Sequence, residues 1–352
     1  MDHVTGDVGR EDIRAYYGRV LSSKNDLKTN ACCCSGEPSG FVREILDQME
    51  GEILDRFYGC GSPIPLAVEG CRVLDLGCGT GRDVYILSRL VGAEGEVIGV
   101  DMTEEQLAIG RKYQAVMADR FGYSRSNVRF LQGYMEELEE LGVEDESVDV
   151  VISNCVVNLS FDKERLFREV FRVLKTGGEF CFSDVFASRR LPREVQNDPI
   201  MVGECIGGAL YVEDLRRLAQ KAGFMEVREV SSAEITVHDE RIAAMLAGTK
   251  LYSKTVKMFK LPDLEDRCED YGQTAVYLGT IAHEPLGFRL DNHHYFERGR
   301  WTSVCGNTAS ILTRTRLAPH FRVEGDRSTH FGLFSSCQTS AENTGTTSFS
   351  CC

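Results

Sequence analysis

Residues 73–83 read VLDLGCGTGRD, an apolar run that passes through a glycine-punctuated turn straight into a helix-like segment. This is the feature that most restricts the fold. A strand feeding a helix through a tight turn opens a βαβ unit, and such units build mainly parallel sheets covered by helices. Gly77, Gly79 and Gly81 permit the turn and let the backbone approach a ligand closely. The alternation then repeats. Strand-like runs occupy 72–76, 96–100, 128–131, 148–153 and 179–183, and helix-like segments include 103–120 and 162–174. Thr103 and Gln106 match a capping box, and Lys175-Thr176-Gly177-Gly178 is expected to stop the later helix with glycine. The predicted fold is α/β, a Rossmann-like domain with helices on both faces of its sheet.

A dinucleotide fingerprint needs a third glycine where this chain has Arg82. The Asp-x-Gly-x-Gly-x-Gly form suits S-adenosylmethionine, which has no pyrophosphate and lays its amino-acid end against the loop. Asp75, Gly77, Cys78, Gly79 and Gly81 are the loop's candidate contacts, with Tyr58 ahead of it. Asp101 ends the second strand, where a carboxylate can accept both ribose hydroxyls, bonds worth about 1.5–3 kcal/mol each. Met102 is placed to pack on adenine, and Gln106 follows it. Met135 and Glu136 follow the third strand, where a polar side chain reaches the adenine amine, and Asn154 follows the fourth. Ligands of such sheets bind at the carboxyl ends of the strands. Another nucleotide on the same fold is the alternative.

Outside this core the pattern is looser. Segments 11–23 and 40–58 have helical spacing, with Ser39 as a candidate cap for the second. Between them lies a polar loop with Cys32, Cys33 and Cys34, and Cys60 follows in a glycine-rich turn. Residues 212–223 predict a helix closed by Gly223, and the pattern beyond about 236 is mixed. The Ser/Thr-rich end is expected to be a mobile tail tipped by Cys351 and Cys352. The expected divisions are a helical region at 1–70, the cofactor core at 71–186, a region with Cys205 at 187–284 and a C-terminal domain at 285–352.

The net charge of −14 disfavours nucleic acid and anionic membranes as partners. With no 18-residue apolar run and no apolar leader, the expected location is the cytoplasm. Fourteen cysteines there read as thiols rather than a disulfide scaffold. Zinc is disfavoured, because Cys32 and Cys34 are spaced too tightly for the usual knuckle. His293 and His294 read as an exposed pair. Cys71, Cys78 and Cys181 read as packing residues, while Cys268 and Cys305 carry no functional argument.

Four cysteines stand in distinctive contexts: TNAC (Cys32), FYGCG (Cys60), SNCVVNL (Cys155) and GECIGGALY (Cys205). With DLGCGTGRD, VIGVDMT and FSDVF they resemble the arsenite S-adenosylmethionine methyltransferases over residues 11–235. The resemblance implies that Cys155 and Cys205 hold arsenic(III) throughout the cycle and that Cys60 is the third thiol. It implies that Cys32 is the disulfide partner, reopened by an external thiol reductant such as thioredoxin or glutathione. Soft thiolate sulfur prefers soft centres, so antimony(III) is a further expected substrate. Cys337, Cys351 and Cys352 either gather arsenic or belong to a solvated tail. A monomer is expected, since no exposed heptad appears. Two other readings stay open: a methyltransferase for an organic nucleophile, and a thiol protein that only sequesters soft ions.

Overall fold

The computed structural model describes residues 9–15, 17, 39–237 and 240–334. Cys32, Cys33, Cys34, Cys337, Cys351 and Cys352 lie outside them. Eight strands form the main sheet: β1 (Arg72–Leu76), β2 (Glu96–Asp101), β3 (Val128–Gln132), β4 (Val148–Asn154), β5 (Leu174–Ala187), β6 (Leu210–Tyr211), β7 (Arg228–Ile235) and β8 (Leu251–Phe259). Their order is 3-2-1-4-5-8-7, with β6 beside β5. The strands from β3 through β5 run parallel, and β8 pairs antiparallel with both β5 and β7. β1 is the centre, pairing Asp75 with Gly99 on one side and Ile152 on the other. Chain order reverses there, which leaves a crevice beyond its carboxyl end.

Side chains of one strand alternate between two cores. Leu74 and Leu76 pack with Val151, Phe167, Phe180 and Phe182 on one face. Val73 packs with Val84, Leu87, Val97 and Ile152 on the other. Each large apolar side chain so buried contributes about 1.5–3 kcal/mol. Two-sided burial is why the strands read as continuous apolar runs.

Several local expectations change. The 40–58 segment is two short helices, Gly40–Leu46 and Gly51–Leu54, and 103–120 breaks at Tyr113 into Glu104–Lys112 and Gln114–Arg120. Ser39 and Thr103 occupy cap positions but make no side-chain cap bond; at Thr103 the N–H donates to Asp101, and Gln106 turns away to donate to the Tyr17 carbonyl. Asp162 does cap its helix, accepting from Arg165 N–H at 2.9 Å. The glycines at 177 and 178 do not stop a helix. Leu174 already has extended backbone, and β5 runs on through them. The helix Val212–Ala222 does end on Gly223, at φ 116°.

The C-terminal part is built of short strands: β9 (Glu269–Asp270), β10 (Thr274–Tyr277), β11 (Gly287–Arg289), β12 (Tyr295–Glu297), β13 (Trp301–Ser303), β14 (Phe321–Glu324) and β15 (Gly332–Leu333). β10 is central between β13 and β14, so this packed unit includes strands upstream of residue 285. Buried ion pairs fasten it to the main sheet. Arg228 of β7 meets Asp291 at 2.9 Å, and Glu179 of β5 meets Arg316 at 2.7 Å. Two expectations fail here. His294 is not exposed; its ring nitrogen Nδ1 bonds Asp291 at 2.7 Å. Cys268 is not a thiol but disulfide-bonded. Among the described residues, no helix is long and apolar enough to cross a membrane.

Candidate active site

The loop after β1 holds its shape through left-handed glycines. Gly77 has φ 71°, and a Cβ there would lie 2.4 Å from Val156. Gly79 has φ 53°, with open space where its Cβ would be, so its backbone faces the crevice. Asp101 ties this loop to the end of β2. One carboxylate oxygen accepts from Gly79 N–H at 2.9 Å and the other from Thr103 N–H at 2.8 Å. Nothing local in the sequence signals these bonds, which add a loop-fastening role to the ribose-accepting role expected of Asp101.

A single cavity brings together Tyr58, Asp75, Gly77, Cys78, Gly79, Asp101, Met102, Gln106, Met135, Glu136, Asn154 and Cys155. Gly81 does not line it; it is the left-handed residue that starts the Arg82–Val91 helix. Cys78 also packs, its sulfur filling the space above Gly99. Glu136 accepts from the Ser160 hydroxyl at 2.6 Å. Asp75 is buried, and its carboxyl is held well above the usual range by burial, then by the charges of Asp83 and Asp101. Oxygen Oε1 of Gln106 is buried with no hydrogen-bond partner among the described residues. Clustered carboxyls, an orphaned acceptor and an open backbone suit a cationic ligand rich in donors. S-adenosylmethionine, with its sulfonium and ammonium groups, is such a ligand.

Cys155 directly follows the carboxyl end of β4, with φ 62° and its N–H on the Ser183 carbonyl at 2.7 Å. Cys205 follows the Pro199–Gly203 helix, also at φ 62°, and its thiol donates to the Cys155 carbonyl at 2.9 Å. Each such backbone in a residue with a side chain costs about 1–3 kcal/mol, and such costs cluster at functional sites. Cys60 is brought in by Asn154, whose Oδ1 accepts from Cys60 N–H at 3.1 Å and whose amide donates to Asp83 at 2.9 Å. One side chain thus links the glycine loop to a thiol 94 positions away. Burial pushes the Cys60 thiol up to about 11, against a lowering bond from Cys155.

The sulfurs of Cys60 and Cys155 and a carboxylate oxygen of Asp184 lie within 4.8 Å of one another, all three residues buried. Asp184 accepts from Asn158 N–H at 2.9 Å and from its amide at 2.6 Å. That amide also reaches the Cys205 carbonyl at 3.1 Å, so Asn158 clips Asp184 to Cys205. Tyr17 donates to the Gly203 carbonyl at 2.8 Å from the other side. Sequence reasoning missed Asp184, Asn158 and Tyr17. The available signal was polar residues inside apolar runs: Asp184 in FSDVF and Asn158 in CVVNL. Cys32 lies outside the described residues.

A doubly wound sheet with this loop and acidic crevice at its switch point defines the class: an S-adenosylmethionine-dependent methyltransferase. A family model described as a methyltransferase domain matches residues 67–223, and one described as the arsenite methyltransferase C-terminal domain matches 271–351. The chain is 48% identical over 327 residues to an arsenite methyltransferase of Aquipseudomonas alcaligenes, covering 93% of this chain and 94% of the relative. It is 40% identical to the Homo sapiens arsenite methyltransferase, covering 89% of this chain and 83% of that one. The crystal structure of an arsenic(III) S-adenosylmethionine methyltransferase from Chlamydomonas reinhardtii matches with a TM-score of 0.82 at 47% identity, over 85% of this chain and 100% of that one. The chain belongs to the arsenite methyltransferase family.

Proposed function

We propose that this enzyme methylates arsenite while the arsenic is held by Cys60, Cys155 and Cys205. The observation that carries the reading is that the Cys60 and Cys155 sulfurs meet beside the cofactor crevice, which Cys155 lines, while the Cys205 thiol bonds the Cys155 carbonyl. S-adenosylmethionine supplies an electrophilic methyl on a cationic sulfur. Tyr58, Asp75, Gly77, Cys78, Gly79, Asp101, Met102, Gln106, Met135, Glu136 and Asn154 are the residues that hold it, with Gly81 shaping the loop.

Thiolate sulfur is the softest side-chain donor and matches trivalent arsenic, and by the same preference antimony(III). Arsenous acid exchanges three hydroxyls for three thiols, releasing three waters. The thiol protons leave in those waters, so no separate base is required. Three sulfurs leave the arsenic lone pair pointing away from them, available to the methyl. The protein contributes chiefly proximity and alignment.

Methylation raises arsenic to the pentavalent state. The Cys32 thiol then attacks the arsenic-bound sulfur of Cys60. The Cys60–Cys32 disulfide forms, the arsenic–sulfur bond breaks, and its electron pair returns arsenic to the trivalent state with loss of one proton. Methylarsenite stays on Cys155 and Cys205. An external thiol reductant, thioredoxin or glutathione, reopens the disulfide by exchange, which places the cycle in the reducing cytoplasm.

The test is an assay with methyl-labelled S-adenosylmethionine, arsenite and a thiol reductant, with products separated by arsenic species. Label should appear in methyl- and dimethylarsenicals. Arsenic bound without cofactor consumption would instead mark a sequestering protein.

A further inference from the structure

Tyr17 lies two positions past the helix Arg10–Ala15 and touches both halves of the site. Its hydroxyl donates to the Gly203 carbonyl at 2.8 Å, two positions before Cys205, and its oxygen lies 3.7 Å from the Cys205 sulfur. Its ring meets the edge of Tyr58, two positions before Cys60, with centroids 5.7 Å apart. The same side chain packs on the buried group that contains Cys60, Cys155 and Cys205. Its backbone carbonyl accepts from Gln106 Nε2 at 3.0 Å. One residue therefore ties Gln106 of the cofactor crevice to the Cys205 turn.

The two ends of the Gln106 amide do different work. An amide is planar, so its nitrogen and oxygen turn together. Nε2 is spent on Tyr17, while Oε1 is buried with no hydrogen-bond partner among the described residues. A buried acceptor calls for a donor, and S-adenosylmethionine carries hydroxyl, amine and ammonium donors. A donor on Oε1 fixes the amide plane and with it the bond to Tyr17. At the far end, Cys205 holds φ 62°, a backbone that a side chain keeps only where its surroundings impose it. The Tyr17 bond to Gly203 is one of those constraints.

We propose that Tyr17 is a positioning residue that couples the two substrates. Filling the cofactor seat fixes Gln106, Gln106 holds Tyr17, and Tyr17 sets the Cys205 turn for arsenic. The proposal rests on the reading that Cys205 is an arsenic ligand. Coupling between two binding sites is reciprocal, so arsenite must tighten cofactor binding by the factor with which the cofactor tightens arsenite binding.

The test is calorimetric titration of the full-length enzyme in a phosphine reductant. Arsenite is titrated with and without saturating S-adenosylhomocysteine, which fills the cofactor seat but has no methyl to give. Wild type should bind arsenite about fivefold or more tightly when the seat is filled. Tyr17→Phe keeps the ring against Tyr58 and loses only the hydroxyl, and it should erase that gain. The reverse titration, S-adenosylhomocysteine with and without arsenite, should show the same gain in wild type and the same loss in Tyr17→Phe. A wild type without the gain would overturn the proposal. So would a Tyr17→Phe enzyme that binds arsenite more weakly by one factor in both conditions, which is what structural support alone predicts. Cys205→Ser with wild-type arsenite affinity would instead remove the arsenic-ligand reading, and the proposal with it.

Discussion

The Cys205 thiol donates to the backbone carbonyl of Cys155 at 2.9 Å, and both residues hold φ at 62°. Two cysteines 50 positions apart in sequence are thus locked together in a backbone conformation that side chains disfavour. Packing around Asn158, Tyr17 and Ser183 holds them there. The two residues form one unit, and their substitution should have equal consequences.

Cys155→Ser and Cys205→Ser should each lower methylation of both arsenite and methylarsenite by about 100-fold or more, as misplacement at a reacting centre does. Cys60→Ser should lose arsenite turnover and keep methylarsenite turnover, because methylarsenite needs one thiol fewer. Turnover of each substrate, followed by arsenic speciation, checks this. Equal effects of Cys60→Ser on both would remove Cys60 from its role.

Asn158→Ala removes the clip between Asp184 and the Cys205 carbonyl. Stability should fall by about 1–3 kcal/mol for each buried group left unpaired. Arsenite affinity should fall about tenfold, and S-adenosylmethionine affinity should not change. Calorimetric titration with each ligand separates the two. An equal loss for both would mark Asn158 as a general structural residue.

Asp101→Ala frees the Gly79 and Thr103 N–H groups and removes the proposed ribose acceptor. At about 1.5–3 kcal/mol for bonds to a charged group, cofactor affinity should fall about 10- to 150-fold. Arsenite binding without cofactor should be retained.

The buried thiols set a pH dependence. Burial raises Cys60 to about 11 and Cys181 to about 12, above the ordinary thiol value of 9.0. The folded state therefore binds protons more tightly than the unfolded chain. Its stability is full below pH 9 and falls as pH rises toward 11–12, by about 3 kcal/mol for Cys60 alone. Chemical denaturation between pH 8 and about 11 measures this, and the fall should shrink in Cys60→Ser.

The glycine loop and the parallel strands were legible because their signals are local: φ-permissive glycines at fixed spacing and apolar runs between them. The cap at Thr103 was misread because Gln106 is drawn to Tyr17, 89 positions away. The glycines at 177 and 178 suggest a helix stop, yet they sit in an irregular stretch of β5 tied by backbone bonds to Lys260, just past β8. The C-terminal strands are two to four residues long, too short for alternation to show. The motifs around Cys60, Cys155 and Cys205 pointed to the thiols by resemblance. How they meet depends on Asn154 and Asn158, whose long-range bonds have no sequence period.

X-ray absorption at the arsenic edge, on the purified enzyme loaded with one arsenite and a phosphine in place of thiol reductants, reads the central claim directly. Three sulfur neighbours are expected in wild type, and two sulfurs with one oxygen in Cys60→Ser. Arsenic surrounded by oxygen in wild type, or a sulfur count unchanged by Cys60→Ser, would contradict the three-thiol site.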